Sequence, residues 1–190
     1  MNKILCTLSP NRCNGLLSLS QGNLVVTTKE ICDFHRSVFG NLAFGAGTHA
    51  FECEFWSNSN PAGGLVNLCS VGVASANSAL NQCVGQGAES YGFRPSDGAG
   101  NSGIYNNNSL LTGYAQQGER QVIGVALWND PVSPFVSWQV NGNYIGQIAL
   151  TAGVLYVPAV SIGSDSPGDV SAFCNFGQRL FRYPIFTVNR

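Results

Sequence analysis

Cysteine and histidine are the residue types in this sequence that could supply a nucleophile and its base. Cys53 and Cys69 are the candidate nucleophiles. His35 and His49 are the two histidines that could accept a proton from them. No Gly-x-Ser-x-Gly elbow and no cysteine-centred motif supports either pairing. The sequence therefore predicts a protein that is not an enzyme and has no catalytic residues.

The same stretch of sequence contains two further arrangements that could do chemistry. His49 and Cys53 are four residues apart on a predicted strand, but two ligands are too few for a closed metal site. Glu52 and Glu54 are two apart, within about 7 Å on a strand, which is a spacing that could suit glycoside hydrolysis. We favour the alternative that both glutamates lie on a solvated outer face. The sequence thus predicts no metal and no cofactor.

Seven cysteines are spread through the chain without any Cys-x-x-Cys pair. An odd number at wide spacing suits neither a zinc site nor a disulfide framework. We therefore expect free thiols that pack as small core residues in a protein folded in a reducing cytoplasm.

The elements that must position these residues are predicted to be short β-strands. Charged residues make up only 10% of the 190-residue chain, whereas 23 residues are glycine, a composition typical of β-rich proteins with many turns. Apolar residues alternate with polar ones in short blocks, as in Phe51–Phe55, Val136–Val140 and Val170–Cys174. The length is sufficient for one well-cored domain.

Two blocks are apolar on both faces and are predicted to be central strands, namely Val122–Trp128 and Leu155–Val160. Asn141-Gly142 between alternating blocks predicts a tight hairpin with positive φ at both residues. Leu17–Val26 predicts a second hairpin near the N-terminus. About a dozen short strands favour an all-β fold, a two-sheet antiparallel β-sandwich. Long irregular loops are expected at Ser57–Leu68, Tyr91–Tyr114, which would carry a short strand or turn, and Asn129–Pro134.

Charge and hydropathy exclude two classes of partner. The net charge is −1 and no run of lysine or arginine occurs, so we predict no binding to nucleic acid. The first residues lack the apolar stretch of a standard signal peptide, and no stretch is long enough to span a membrane as a helix. We expect neither secretion by the standard route nor membrane insertion.

The order of the blocks resembles that of the SPRY domain, the β-sandwich module shared with B30.2 proteins. The resemblance covers residues 49–184 and rests on His49–Phe55, Val71–Ser75, Ser90–Phe93, Val122–Leu127, Val136–Gly142, Leu155–Ser161 and Cys174–Gln178. SPRY domains usually carry an Asp-x-Asp-x-Gly hairpin after the Ile-Gly-Val-Ala-Leu strand. Trp128–Pro134 departs from that pattern, because its two prolines stiffen the loop and cannot donate backbone hydrogen bonds.

The first 48 residues resemble the stretch that precedes SPRY domains in bacteriophage proteins. A proline-containing opening, Leu8–Asn11, leads into a hairpin rich in serine and glycine, Leu19–Thr27. We therefore divide the chain into an N-terminal β-hairpin extension, 1–48, packed on the sandwich, and a SPRY-like (concanavalin-like) β-sandwich, 49–190.

The resemblance implies a site as well as a fold, because SPRY domains bind partners through loops at one end of the sandwich. The candidate binding residues at that end are Tyr91, Arg94, Asp97, Tyr105, Asn106, Trp128, Asn129 and Asp130. Trp128 is the strongest single candidate, since a large aromatic side chain beside a stiff loop presents contact area at little entropic cost.

We therefore predict a non-enzymatic bacteriophage virion protein, structural or accessory, such as a head fibre, a capsid decoration or a tail-associated protein. It would be made in the host cytoplasm and located in the virion. Its partners would be other virion proteins and a host surface protein or glycan. The alternative is a soluble intracellular SPRY adaptor that binds a linear peptide. The sequence leaves open whether the protein is a homo-oligomer.

Overall fold

Fourteen β-strands, β1–β14, form the secondary structure that the computed structural model describes in residues 6–58, 69–95, 102–114 and 120–183. Their bounds are β1 Leu8–Cys13, β2 Leu17–Ser20, β3 Val25–Thr28, β4 Cys32–Gly40, β5 Gly47–Ser57, β6 Cys69–Ser75, β7 Ser90–Arg94, β8 Ser102–Asn106, β9 Ser109–Tyr114, β10 Val122–Asn129, β11 Phe135–Val140, β12 Asn143–Ala149, β13 Tyr156–Ser164 and β14 Val170–Asn175. Within these described ranges, no helix could cross a membrane.

The strands form two antiparallel sheets of seven strands each, which confirms the predicted β-sandwich. Sheet A has the order β1-β4-β13-β6-β7-β8-β9, and sheet B has the order β12-β11-β10-β5-β14-β3-β2. The two strands predicted to be central, β10 and β13, each have a strand on both sides. Residues 8–40 supply β1 and β4 to sheet A and β2 and β3 to sheet B.

Turn residues with positive φ form the two predicted hairpins. Asn141 (φ 50°) and Gly142 (φ 83°) join β11 to β12 with positive φ at both positions, as Asn-Gly between alternating strands predicts. Gln21, Gly22 and Asn23 likewise have positive φ between β2 and β3. Both hairpin predictions are confirmed.

The segment Tyr91–Tyr114 differs from its prediction as a long loop with a short strand or turn. It contains most of β7 and the whole of β8 and β9, which pair in sequence at one side of sheet A. Gly92 and Gly103 are close-contact positions between strands, and Asn107 and Asn108 form the turn between β8 and β9 with positive φ. Residues 96–101 of the predicted loop lie outside the described residues. Part of the predicted loop Ser57–Leu68, residues 59–68, lies outside the described residues.

The core lies between the two sheets, where the inward-facing residues of each strand are almost fully buried. Trp138 of β11 is the largest of these side chains and is 1% exposed. Its indole N–H donates a hydrogen bond of 3.0 Å to the backbone oxygen of Val71 in β6. Because β11 belongs to sheet B and β6 to sheet A, this bond joins the two sheets across the core.

The outer face of sheet A is covered by the connection between β6 and β7, residues 76–89, which we call the covering segment. Ser161 of β13 accepts a hydrogen bond of 2.6 Å from the backbone N–H of Val84, and the Ser70 hydroxyl donates one of 2.8 Å to the Val84 oxygen. Gly92 permits this approach, since a Cβ there would lie 2.5 Å from the Val84 oxygen. Small polar residues thus anchor a loop on the sheet.

Replacing Ser161 with alanine should lower the free energy of unfolding by about 1–3 kcal/mol, because it leaves the buried N–H of Val84 without its acceptor. Urea unfolding of the variant measures this loss. The control is Ser18→Ala, since Ser18 is only partly buried and its hydroxyl makes a long bond of 3.3 Å. Equal unfolding midpoints for both variants would contradict the anchoring role of Ser161.

Candidate functional site

Among the described side chains, Cys53 and His49 each contact partners other than one another. Cys53 is buried in the core, where its Sγ lies 3.5 Å from that of Cys174 on the neighbouring strand. The His49 ring stacks on Phe44, and its Nε2 lies 2.8 Å from the backbone oxygen of Gly45. The side chain of His35 lies outside the described residues. Within the described residues, no group of three or more potential ligands could hold a metal ion.

None of the seven cysteines is in a disulfide bond, and five of them are buried, in agreement with their prediction as core residues. Burial raises the pKa of Cys53 and of Cys69 well above the ordinary value. Burial also raises the pKa of Cys83 from 9.0 to about 11, against smaller opposing effects of Arg94, Ser70 and Ser161. These thiols are therefore held in their neutral, poorly nucleophilic form.

The raised pKa of Cys83 predicts a loss of stability in alkali. Its thiol stays protonated in the folded state while the unfolded chain ionises above pH 9.0, so the folded state loses stability as the pH rises towards about 11. A shift of this size corresponds to about 2–3 kcal/mol. Urea unfolding between pH 8 and pH 11 should show a smaller fall in the free energy of unfolding for Cys83→Ala than for the wild type. The two falls should differ by this amount. Parallel pH profiles for the two proteins would contradict the assignment.

Both glutamates of β5 lie on the outer face of sheet B, as expected, and Glu54 is partly exposed, but Glu52 is not solvated. Glu52 is buried, with its Oε1 accepting a hydrogen bond of 2.9 Å from the Asn175 side-chain amide and its Oε2 one of 2.9 Å from the backbone N–H of Arg182. Glu54 forms an ion pair of 2.9 Å with the Arg182 guanidinium. The chain after β14 therefore covers this part of sheet B. Both carboxylates serve to hold that chain.

The eight candidate binding residues fall into two groups, apart from Asp97, which lies outside the described residues. The first group is on β7 and β8, where Tyr91, Arg94 and Tyr105 are buried. The Tyr91 ring packs inwards, edge-on to Tyr156 at 6.1 Å between centroids. The Arg94 guanidinium lies over the Tyr105 ring, 4.1 Å from its centroid. Their assignment to binding stays a prediction.

Asn106, at the end of β8, holds the neighbouring backbone through its side chain. Its side-chain amide donates hydrogen bonds to the backbone oxygens of Ala88, at 2.6 Å, and Ser90, at 3.1 Å. Asn106 thus fixes the end of the covering segment where the chain enters β7.

The second group, Trp128, Asn129 and Asp130, lies where β10 ends. The Trp128 side chain is 39% exposed and stacks on Phe135 with 6.4 Å between ring centroids. The Asp130 carboxylate accepts hydrogen bonds from the backbone N–H groups of Val132, at 2.8 Å, and Ser133, at 2.9 Å. This turn, with its flanking prolines, presents Val132 with 83% of its side chain exposed.

Three loops at this end of the sandwich are joined by hydrogen bonds, and we call them together the end surface: residues 41–46, 130–134 and 150–155. The Asn129 side-chain amide, at the entry to 130–134, donates to the backbone oxygens of Phe44, at 2.9 Å, and Gly45, at 3.0 Å. The N–H of Leu150 donates to the oxygen of Pro134 at 2.8 Å. The N–H of Phe44 donates to the oxygen of Tyr156, which follows the third loop, at 2.8 Å.

The carboxylate of Glu89, which was not singled out from the sequence, connects this end of the sandwich to the covering segment. Glu89 accepts hydrogen bonds from the Tyr156 hydroxyl, at 2.8 Å, and from the Thr151 hydroxyl, at 3.1 Å. Burial, reinforced by Glu89, raises the pKa of Tyr156, so the tyrosine remains a neutral donor. The partners are more than 60 residues apart along the chain, and therefore no local motif could have indicated the contact.

The end surface also carries large apolar side chains that are exposed. Val132 and Leu155 are 83% and 63% exposed, and Leu42 and Trp128 are 36% and 39% exposed. Each loop of the end surface contributes one of these residues, and Trp128 lies beside them. Exposed apolar groups on loops that are hydrogen-bonded to one another are typical of an interaction surface.

Comparison of the sequence with models of known protein families gave no match, and comparison with curated protein sequences gave none either. The architecture is nevertheless shared with solved structures. The PSpry domain of TRIM65 superposes with a TM-score of 0.65 at 14% identity, covering 90% of this chain and 92% of that domain.

Two further solved structures give the same result. A human SPRY domain superposes with a TM-score of 0.62 at 14% identity, covering 87% of this chain and 98% of that chain. The SPRY domain of human HERC1 gives 0.61 at 15% identity, covering 90% of this chain and 99% of that chain. Similarity over nearly the whole length at such low identity is a similarity of fold. The chain therefore has the SPRY fold.

Proposed function

We propose that the protein is a non-enzymatic binding module whose end surface binds a protein partner. The observation that carries the proposal is the set of exposed apolar side chains on three loops that are hydrogen-bonded to one another. Loops held in this way need little further ordering when a partner binds, which lowers the entropic cost of association. The resemblance to SPRY domains, which bind partners through loops at one end of the sandwich, also supports binding at this end.

The acidic groups in and next to the end surface are already paired, which favours an apolar, protein-like contact. The Asp130 carboxylate accepts backbone hydrogen bonds within its own loop, and Glu89 accepts those of Tyr156 and Thr151. Both acids are thus engaged in holding the loops. Leucine, valine and tryptophan side chains supply the exposed area, and such groups gain most by packing against the apolar side chains of a partner.

Photo-cross-linking in the cell that produces the protein tests this proposal. A cross-linking amino acid replaces Val132 or Leu155, and the control replaces Ile31, which is 56% exposed at the opposite end of the sandwich. We expect one protein to be trapped from both Val132 and Leu155 and not from Ile31. Trapping of the same proteins from all three positions would contradict the proposal.

We further propose that the protein is a structural or accessory component of a bacteriophage virion, such as a head fibre, a decoration or a tail-associated protein. Support comes from the resemblance of residues 1–48 to the stretch that precedes SPRY domains in phage proteins. The partner would then be another virion protein, or a host surface protein or glycan. A surface poor in charge and rich in amides suits broad, hydrated contacts of this kind.

Mass spectrometry of purified particles tests the virion assignment. The protein should be present in particles in a constant ratio to the other virion proteins. Its presence in infected cells together with its absence from particles would overturn the assignment. That result would favour the soluble adaptor, which would bind a linear peptide through the same end surface.

A further inference from the structure

A pocket lies on the outer face of sheet B, away from the end surface. It is about 300 Å³ in volume, and its lining includes Glu54, Trp56, Arg120, Phe173, Arg179 and Arg182. Glu54 and Trp56 belong to the second half of β5, whereas the end surface adjoins the first residue of that strand, Gly47. The volume is at the lower end of the range for small-molecule sites.

The pocket concentrates positive charge in a chain that has little charge. Arg120, Arg179 and Arg182 are three of only nine cationic residues, and the net charge of the chain is −1. Three guanidinium groups and the one carboxylate of Glu54 leave the pocket with a net charge of +2. Guanidinium groups match phosphate and carboxylate oxygens in paired hydrogen bonds.

Buried polar groups fix the turn that carries two of these arginines. The Asn175 side chain donates to the backbone oxygen of Arg179 at 3.1 Å and accepts from the backbone N–H of Arg179 at 3.2 Å. Glu52, itself buried, accepts from the Asn175 amide at 2.9 Å and from the backbone N–H of Arg182 at 2.9 Å. The backbone that presents Arg179 and Arg182 is therefore set before any ligand arrives.

Aromatic side chains form the walls of the pocket. The Arg179 guanidinium lies 5.3 Å from the centroid of the Phe173 ring. The Trp56 indole N–H donates a hydrogen bond of 2.8 Å to the Asn58 side chain, which fixes the orientation of its ring. Arg182 is held by its ion pair with Glu54 at 2.9 Å. The pocket thus offers flat apolar surface next to oriented cationic groups.

We propose that this pocket binds a small anion in which a phosphate or a carboxylate is attached to a ring. The arginines bind the anionic group, and the Trp56 and Phe173 rings pack against the ring of the ligand. Two sources share this chemistry: a mononucleotide and an acidic sugar. The site is separate from the end surface, so either proposal can fail without the other.

Isothermal titration calorimetry with the intact protein separates the two sources. Adenosine 5′-monophosphate is compared with adenosine, and glucuronate is compared with glucose, so that each pair differs in the anionic group. Inorganic phosphate serves as the anion without a ring. We expect at least one ring-bearing anion to bind at least tenfold more tightly than its neutral counterpart and than phosphate. If neither anion exceeds its neutral counterpart, the proposal is wrong.

Single-residue variants test whether the anion binds in this pocket. Arg179→Gln and Arg120→Gln each remove one charge from the exposed rim and should weaken the ring-bearing anion about tenfold or more. Lys29→Gln is the matched control, because it removes the same charge from an exposed position that does not line the pocket. Unchanged affinity in both arginine variants, or equal weakening by Lys29→Gln, would overturn the proposed site.

Discussion

Replacing Trp138 with alanine is expected to lower the free energy of unfolding by about 3–5 kcal/mol, the largest stability effect that we predict. The side chain is 1% exposed between the two sheets, so its removal leaves a cavity that the surrounding strands can only partly fill. The variant also loses the hydrogen bond of 3.0 Å that joins β11 to the oxygen of Val71 in the opposite sheet. Urea denaturation followed by tryptophan fluorescence and circular dichroism measures the loss.

Trp138→Phe separates the two contributions. Phenylalanine retains much of the packed volume but cannot donate a hydrogen bond, and we therefore expect it to lose less stability than alanine does. The comparison variant Leu111→Ala truncates a side chain that is 49% exposed at the edge of sheet A and should change stability by less than about 1 kcal/mol. A Trp138→Ala protein as stable as Leu111→Ala would contradict the position of Trp138 at the centre of the core.

Replacing Trp128 with alanine is expected to weaken binding of the partner by about 2 kcal/mol or more, which is about 30-fold in Kd. Trp128 lies beside the end surface and is the one aromatic side chain among the four exposed apolar residues at this end of the sandwich, and it stacks on Phe135. A partially exposed ring held in one orientation supplies contact area without much loss of side-chain freedom. The affinity is measured for the protein that cross-links through Val132.

The effect on binding must be separated from an effect on folding. Trp128 is 39% exposed at the end of β10, so its truncation should leave the thermal unfolding temperature close to that of the wild type. Leu111→Ala again serves as the control, since it truncates an exposed apolar residue that lies outside the end surface. If both variants bind with the affinity of the wild type, Trp128 is not part of the interface.

Local sequence patterns were sufficient to predict most of the strands and their turns. The alternation in Val136–Val140 places Trp138 on the inner face, and Asn141-Gly142 supplies the positive φ that joins this strand to β12. Both properties depend on neighbouring residues only. The pattern could also have placed Tyr91, because it is two residues from Phe93 and both side chains point into the core.

Contacts between distant parts of the chain could not be predicted in this way. The alternation around Glu52 correctly places it on the outer face of its strand, but the chain after β14 returns to bury it through Asn175 and Arg182. The serines that hold the covering segment and the Glu89–Tyr156 contact depend on tertiary pairing in the same way. Their sequence separations leave no local signal.

Only the part of the candidate site that follows from local sequence could be predicted. Trp128 and Asp130 follow a recognisable central strand and precede a proline-rich turn, which favours an exposed loop. The loops 41–46 and 150–155 that meet them were not singled out, because the hydrogen bonds of Asn129 to Phe44 and Gly45 arise only when β5 pairs with β10. Asp97 lies outside the described residues, and its role stays a prediction.

Hydrogen–deuterium exchange of the protein, alone and bound to the partner trapped through Val132, tests most directly whether the end surface is the binding site. We predict slower exchange in residues 41–46, 130–134 and 150–155 when the partner is bound, with no change at the outer edge of sheet A, strand β9. Unchanged exchange in all three loops together with protection of β9 would contradict the account and place the interface on the edge of the sandwich.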